Sequence, residues 1–412
     1  MPILPLGIPT DLDKYFYNRE KDIITIKSFL NTLNYGVANQ MLVTGYRGVG
    51  KSFLLKKLLA ELPDNILTAY IDMSKIFGIQ KGKITEELIM NSLLEAMNES
   101  LREDMDDLTK SYDIVKDLIR KLQPSNTKRL GPQNSTNFGR QKKFDFKEAG
   151  TAMGIAIPDI KDNYEKLSKF VMEFPQRVVE LSNGEISGFV IVIDEFQLIG
   201  ELDSPEAFFW LFRSYTQEQD NVSYIFTGST SASSDIVDKI NGIKGAFGGR
   251  MTQYTVDPFT REESEGYLKE KVSELKFTES GLERFYKCTR GYPAYINSFC
   301  NTMSGDVEYD DELVIQTFYE KIEQVAIMWT AVWATLSGKE KDIITTLVEN
   351  GPLSWSDLLA GVDFSNKTLA KYVNIIKNKG ILSHSGKKYM IEDHMLLAWL
   401  GYKKERDGFY PP

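Results

Sequence analysis

The segment Gly45-Tyr46-Arg47-Gly48-Val49-Gly50-Lys51-Ser52 constrains this chain more than any other eight residues. Its glycines let successive backbone N–H groups turn toward one point, and the helix that follows adds its positive end. The segment therefore reads as an anion cradle of the P-loop type, GxxxxGK[ST]. Lys51 would set a cation against the β and γ phosphates of a nucleotide and the Ser52 hydroxyl would ligate Mg²⁺, with Phe53 beginning the helix beside them. Such a cradle needs a strand before it and a helix after it. Residues 40–44 read as a buried strand, apolar residues recur at helical spacing from Lys51 to Leu62, and Pro63 stops the pattern. A second strand is predicted over Ile66 to Ile71, so the unit is βαβ and the fold class is α/β with a parallel-sheet core.

A second constellation lies far downstream. Phe189-Val-Ile-Val-Ile-Asp194-Glu195 is an apolar strand ending in two carboxylates. Asp194 can hold Mg²⁺ opposite Ser52, and Glu195 is placed to orient or deprotonate an attacking water. The strand Val222 to Thr227 leads to Ser229, a candidate contact for the γ phosphate, though Thr227 and Ser229 would also suit helix capping. Arg250, after Gly248 and Gly249, could meet phosphate in its own site or in a neighbour's, or be an ordinary surface arginine. No Asn-Lys-x-Asp guanine signature occurs, since Asn366-Lys367-Thr368-Leu369 lacks the acid. The cofactors predicted are ATP and Mg²⁺.

At 412 residues the chain exceeds one ordinary core, and its charge of −9 argues against a surface coated in nucleic acid. From Thr335 onward, 11 Lys and Arg face 9 Asp and Glu, so the tail is weakly basic. Two cysteines, Cys288 and Cys300, suggest neither a disulfide framework nor a zinc site, and no secretory or membrane-spanning segment is read. A soluble cytoplasmic protein is expected. Residues 1–258 form the predicted ATPase core, interrupted over about 74–188 by an insertion. The insertion reads as helices near 84–102, 105–122 and 161–182, a polar loop over 124–143 and a small hairpin over 144–157. A last short strand is predicted near Gln253 to Val256, completing a sheet of about five. Residues 259–336 read as an α-helical lid in blocks near 261–275, 279–289, 293–303 and 309–334. Residues 337–412 carry the rhythm of a winged helix-turn-helix, with a recognition helix from Ser365 and a wing turning at Ser385-Gly386.

Phe16-Tyr-Asn-Arg19-Glu20, the Asp194-Glu195 strand, Thr227-Gly-Ser229, Phe247-Gly-Gly-Arg250 and Gly291-Tyr-Pro293 together resemble the archaeal ATPases of the STAND group within the AAA+ superfamily. The likeness spans roughly 12–305, and the winged helix also matches. It implies that Arg19 lies beside the nucleotide and that Pro293 approaches it from the lid, although proline also favours a first helical turn. The chain departs from the pattern in its long insertion and in lacking a strict arginine-finger spacing.

The resemblance implies a nucleotide-driven switch with ATPase activity, expected to be slow. In one reading the tail binds double-stranded DNA through Lys367, Thr368, Lys371, Lys387 and Lys388, a plan similar to archaeal origin-recognition initiators. In another, a signalling or defence ATPase, the insertion and tail bind proteins. A small-molecule kinase is the third class. A homo-oligomer is compatible with each.

Overall fold

A computed structural model describes residues 3–79, 82–107, 164–182, 184–229, 235–391 and 393–412. The predicted helix 105–122 beyond Asp107, the polar loop 124–143 and the hairpin 144–157 lie outside them.

Among the described residues the core is a five-stranded parallel sheet made of β1 (Met41–Thr44), β2 (Ile66–Asp72), β3 (Gly188–Asp194), β4 (Val222–Thr227) and β5 (Thr252–Thr255), in the order β2-β3-β4-β1-β5. Every residue of β1, β3 and β4 is buried, as strands covered on both faces require. Register brings Asp194 level with Thr227, and Thr227 level with Val43 just before the P-loop. The functional segments thus meet at the carboxyl ends of the strands, where open α/β sheets hold their ligands.

Part of the predicted insertion over 74–188 packs on the sheet. Helices Glu86–Asp107 and Tyr164–Leu181 put Ile89, Leu93, Phe170 and Phe174 into the same core as Phe189 and Ile191, so both belong to the sheet's cover. Their apolar positions recur at helical spacing, which is why they pack on the sheet.

Among the elements absent from the sequence reading are helices Glu20–Leu30, Met73–Ile79, Asp235–Asn241 and His394–Asp407, and a 3-10 turn over Phe196–Glu201. The predicted block 309–334 is three helices, Asp311–Glu320, Ile322–Val325 and Ile327–Ala334, and a short parallel pairing joins Lys276–Phe277 to Glu308–Tyr309.

The C-terminal segment runs as helix Gly338–Asn350, strand Leu353–Ser354, helices Trp355–Ala360 and Asn366–Asn378, a hairpin of Ser383–Ser385 with Lys388–Met390, and helix His394–Asp407. The three short strands form an antiparallel sheet. The expected boundary at 337 does not separate two cores. Phe285, Phe299, Trp329 and Trp333 of the lid share one apolar cluster with Ile343, Leu396, Trp399 and Leu400 of the tail. Polar bonds reinforce the seam: the Tyr295 hydroxyl donates to Asp393 Oδ2 at 2.6 Å and Trp329 Nε1 donates to Asp393 Oδ1 at 2.8 Å. Lid and tail are one packed body.

His394 sits in that seam, Nε2 lying 3.0 Å from the Cys288 carbonyl and the ring beside Tyr292 and Tyr295. Burial holds its imidazole below the usual value, against the opposing pull of Asp393 and the Cys288 carbonyl and with a smaller push from Arg290. Below about pH 6.5 the unfolded chain therefore takes up a proton that the folded chain refuses. Stability is expected to fall as pH drops through that value and to level off below the lowered folded one. Urea unfolding of the wild type and of His394→Gln at about pH 7 and 5.5 checks this, the variant losing the pH-dependent part.

Candidate nucleotide site

The P-loop leaves β1 and enters helix Lys51–Ala60 through Gly45, Gly48 and Gly50, whose φ values of 148°, 86° and 94° only glycine adopts readily. Lys51 is buried, and its Nζ donates to the carbonyls of Gly45 at 2.8 Å and Tyr46 at 2.9 Å. Burial lowers its pKa to about 8, opposed by the carboxylates of Glu195 and Asp194, with Arg47 adding a smaller depression. The ammonium is thus solvated by the loop's own carbonyls, contacts that a phosphate oxygen can replace.

Beneath the loop, Ser52 Oγ donates to Asp194 Oδ2 at 2.6 Å. The Tyr70 hydroxyl donates to the same oxygen, and the Glu195 N–H reaches Asp194 Oδ1 at 2.8 Å. Burial and the Asp194 charge push the Tyr70 hydroxyl well up, so it stays a donor. A hydroxyl and a carboxylate side by side are hard oxygen ligands suited to Mg²⁺, which binds one or two carboxylates and takes its remaining ligands from phosphates and water. The residues present fit that ion.

Glu195 occupies the left-handed region at φ 54°, unusual for a side chain with a Cβ and characteristic of functional positions. Ser229 Oγ donates to its Oε1 at 3.4 Å, and Gln197 Nε2 donates to Oε2.

Above these groups opens a cavity of about 300 Å³. Its walls come from the N-terminal segment at Pro5 to Pro9, the P-loop, and the lid at Pro293, Ala294, Asn297 and Met328. The N-terminal wall is fastened to the lid: Asn297 Nδ2 donates to the Pro5 carbonyl at 2.9 Å, and Asn301 pairs with the Leu4 backbone at 2.7 and 2.8 Å. The Ala294 N–H meets the Gly48 carbonyl at 3.2 Å, so the lid touches the loop itself.

Arg19, Arg47, Gly48, Val49, Gly50, Lys51, Ser52, Phe53, Glu195, Ser229 and Pro293 all line the cavity, and Asp194 lies just below it on Ser52. Arg19 stands there with donors already engaged, to the Asp257 carbonyl at 2.6 Å and to Asp22 at 3.2 Å, and with its guanidinium over the Phe259 ring. Gly45 and Tyr46 do not line it: Gly45 serves through its carbonyl, and the Tyr46 side chain turns outward near Tyr292. Arg250 does not line the cavity either. The turn at Gly248 and Gly249 leaves it exposed before the edge strand β5, away from the cavity.

Sequence reasoning missed Gln197, Tyr70, Tyr267 and Asn297. A polar residue inside the apolar run Phe196 to Ile199 was a readable signal for Gln197. The others join the site only through strand pairing or lid docking.

A family model described as an ATPase domain predominantly from Archaea matches residues 16–299, more than half of the chain. The chain belongs to this family. It is a P-loop ATPase, and the matched span holds the P-loop, Asp194, Glu195 and Ser229. Among solved structures it is similar to a Walker-type ATPase of Pyrococcus abyssi, at 17% identity over 93% of this chain and 95% of that one, with a TM-score of 0.59. It is also similar to the ORC1 protein of Aeropyrum pernix in complex with DNA, at 12% identity over 98% and 96% of the two chains, with a TM-score of 0.45. A third is a STAND protein with a tetratricopeptide repeat sensor from Pyrococcus horikoshii, at 16% identity, 99% and 46% coverage and a TM-score of 0.36. The first likeness supports the fold of this ATPase. No curated protein matches it significantly. No helix among its described residues is long and apolar enough to cross a membrane.

Proposed function

We propose that this ATPase is a slow, Mg²⁺-dependent switch in which the nucleotide controls the joined lid and tail, and that the tail is a winged helix that binds double-stranded DNA. One observation carries the reading: the cavity is walled on one side by the P-loop and Glu195 and on the other by a lid that shares its core with the tail. A ligand filling it touches both bodies, so its phosphate state biases their separation. A second path supports the coupling. The chain just past helix Asn366–Asn378 comes against Ser229 at Gly380, where a Cβ would stand 2.4 Å from the Ser229 carbonyl oxygen.

In the reaction proposed, a water oxygen bonds to the γ phosphorus as the bond to the β–γ bridging oxygen breaks, and the water's proton passes to Glu195, giving ADP and phosphate. Lys51 binds the β and γ oxygens, and Ser229 orients Glu195 and the water. Ser52 and Asp194 would hold Mg²⁺, which when bound neutralises charge on the phosphates.

For DNA, Lys367, Lys371, Lys387 and Lys388 are exposed along the first turns of the helix and on the hairpin. Thr368 is tied to Ser365 across the helix start, and Lys379 is engaged by Glu340. Four exposed lysines on phosphates imply a slope of log K against log salt of about −3 to −4. Duplex titration over a salt series is expected to show that slope, reduced by about one on Lys371→Ala. No binding at low salt, or binding indifferent to salt, rejects the DNA assignment and favours a protein partner. Arg250 is then left for a neighbouring subunit's site, a role that sedimentation with nucleotide would examine.

A further inference from the structure

We infer that Gln197 is a positioning residue for hydrolysis, which fixes the carboxylate of Glu195 from a slot that Gly228 leaves open. This rests on the reading of Glu195 as the base.

Gln197 is only 3% exposed, yet it belongs to a 3-10 turn whose other residues are largely apolar. Burying a primary amide is costly unless its groups are paired. Here Nε2 donates to Glu195 Oε2, while Oε1 has no hydrogen-bond partner among the described residues. The amide can stand only this way round, because a carboxylate offers acceptors alone and Oε1 turned toward it would be repelled. A side chain kept for packing would not retain an orphaned carbonyl. Its bond to Glu195 is the polar contact that offsets that cost.

The slot for that carbonyl is made by Gly228. Its φ is not in the left-handed region, so the backbone does not demand glycine. Space does. A Cβ there would lie 2.0 Å from Gln197 Oε1 and 3.1 Å from Gln197 Cδ and from Phe196 Cδ1. Thr227-Gly228-Ser229 and Asp194-Glu195-Phe196-Gln197 are therefore one interlocked device. Gly228 admits the amide, the amide holds Oε2, and Ser229 holds Oε1 at 3.4 Å. With a donor on each oxygen, the plane of the carboxylate is set before any water arrives, and the remaining lone pairs stay free for it. Glu195 sits in a left-handed backbone conformation, so its side chain needs such external support.

The test is steady-state ATP turnover with separately measured nucleotide affinity, on the full chain. Gln197→Met keeps the length and removes the amide, and is expected to lower kcat by about tenfold or more with nucleotide affinity within about twofold. Gly228→Ala keeps the amide but displaces it, and should reproduce that fall. The double variant should be no slower than the slower single one, since both break the same contact. Circular dichroism and thermal unfolding establish that each variant is folded. An unchanged or raised kcat in Gln197→Met, an equal loss of affinity, or independent multiplicative losses in the double variant each overturn the inference. Glu195→Gln runs alongside: if it leaves turnover intact, the base assignment falls and this inference with it. If it abolishes turnover while Gln197→Met does not slow it, the positioning role alone fails.

Discussion

Glu195→Gln is expected to lower ATP turnover by at least about a hundredfold while ATP affinity stays within about twofold. The substitution keeps the shape of the side chain but leaves one acceptor oxygen for the two donors Ser229 and Gln197, and it removes the capacity to take a proton from water. Nucleotide affinity is expected to come from elsewhere, from the P-loop amides and Lys51 and from the other residues that line the cavity. Asp194, Ser52 and Tyr70 form their own cluster and lose nothing. Phosphate release measured without any acceptor, beside calorimetric titration of ATP, separates the two effects. Turnover unaffected by the change would remove Glu195 from the chemistry. Turnover that appears only when a small alcohol or amine acceptor is added would return the kinase reading, which the water-facing position of Glu195 disfavours.

The parts of this site that were legible in the sequence are those whose chemistry is local. The P-loop declares itself because one backbone turn, one lysine and one hydroxyl must be contiguous, and Asp194 with Glu195 because a buried strand must end where the ligand lies. Buried strands and amphipathic helices are equally local, so the five strands and the order of the lid blocks were readable from periodicity. What was not legible depends on contacts distant in sequence. Gly380 reaches Ser229 across about 150 residues. Tyr70 reaches Asp194 only through the parallel register of β2 with β3. The merging of lid and tail escaped for a related reason: a break such as Asn350-Gly351-Pro352 punctuates helices whether or not the flanking faces share a core. Arg250 is the opposite case. Its glycines suggested reach into the site, but a flexible turn sets no direction, and among the described residues it points to solvent.

Asp393→Ala is expected to cost about 2–4 kcal/mol of stability and to disconnect nucleotide state from the tail. Asp393 caps helix His394–Asp407, accepting from the N–H groups of Met395 and Leu396 at 2.9 Å each, and a lost cap costs about 1 kcal/mol. The same carboxylate accepts from the Tyr295 hydroxyl and Trp329 Nε1, both on lid helices. Trp329 keeps a partner in the Tyr295 oxygen at 2.6 Å, but the Tyr295 hydroxyl proton is left buried without an acceptor, at a further cost of about 1–3 kcal/mol. Urea unfolding gives the total. On the proposed DNA-binding reading, the functional readout is the ratio of duplex affinities with ATP and with ADP, which should fall toward one as the polar tie across the shared core of lid and tail is lost, while ATP turnover persists because no catalytic group has been touched. Asp393→Asn, which keeps an acceptor oxygen for one of the two sets of donors, should lie between. If the ratio survives in Asp393→Ala despite the loss of stability, the lid is not the lever, and the contact between Gly380 and the Ser229 carbonyl must carry the coupling instead.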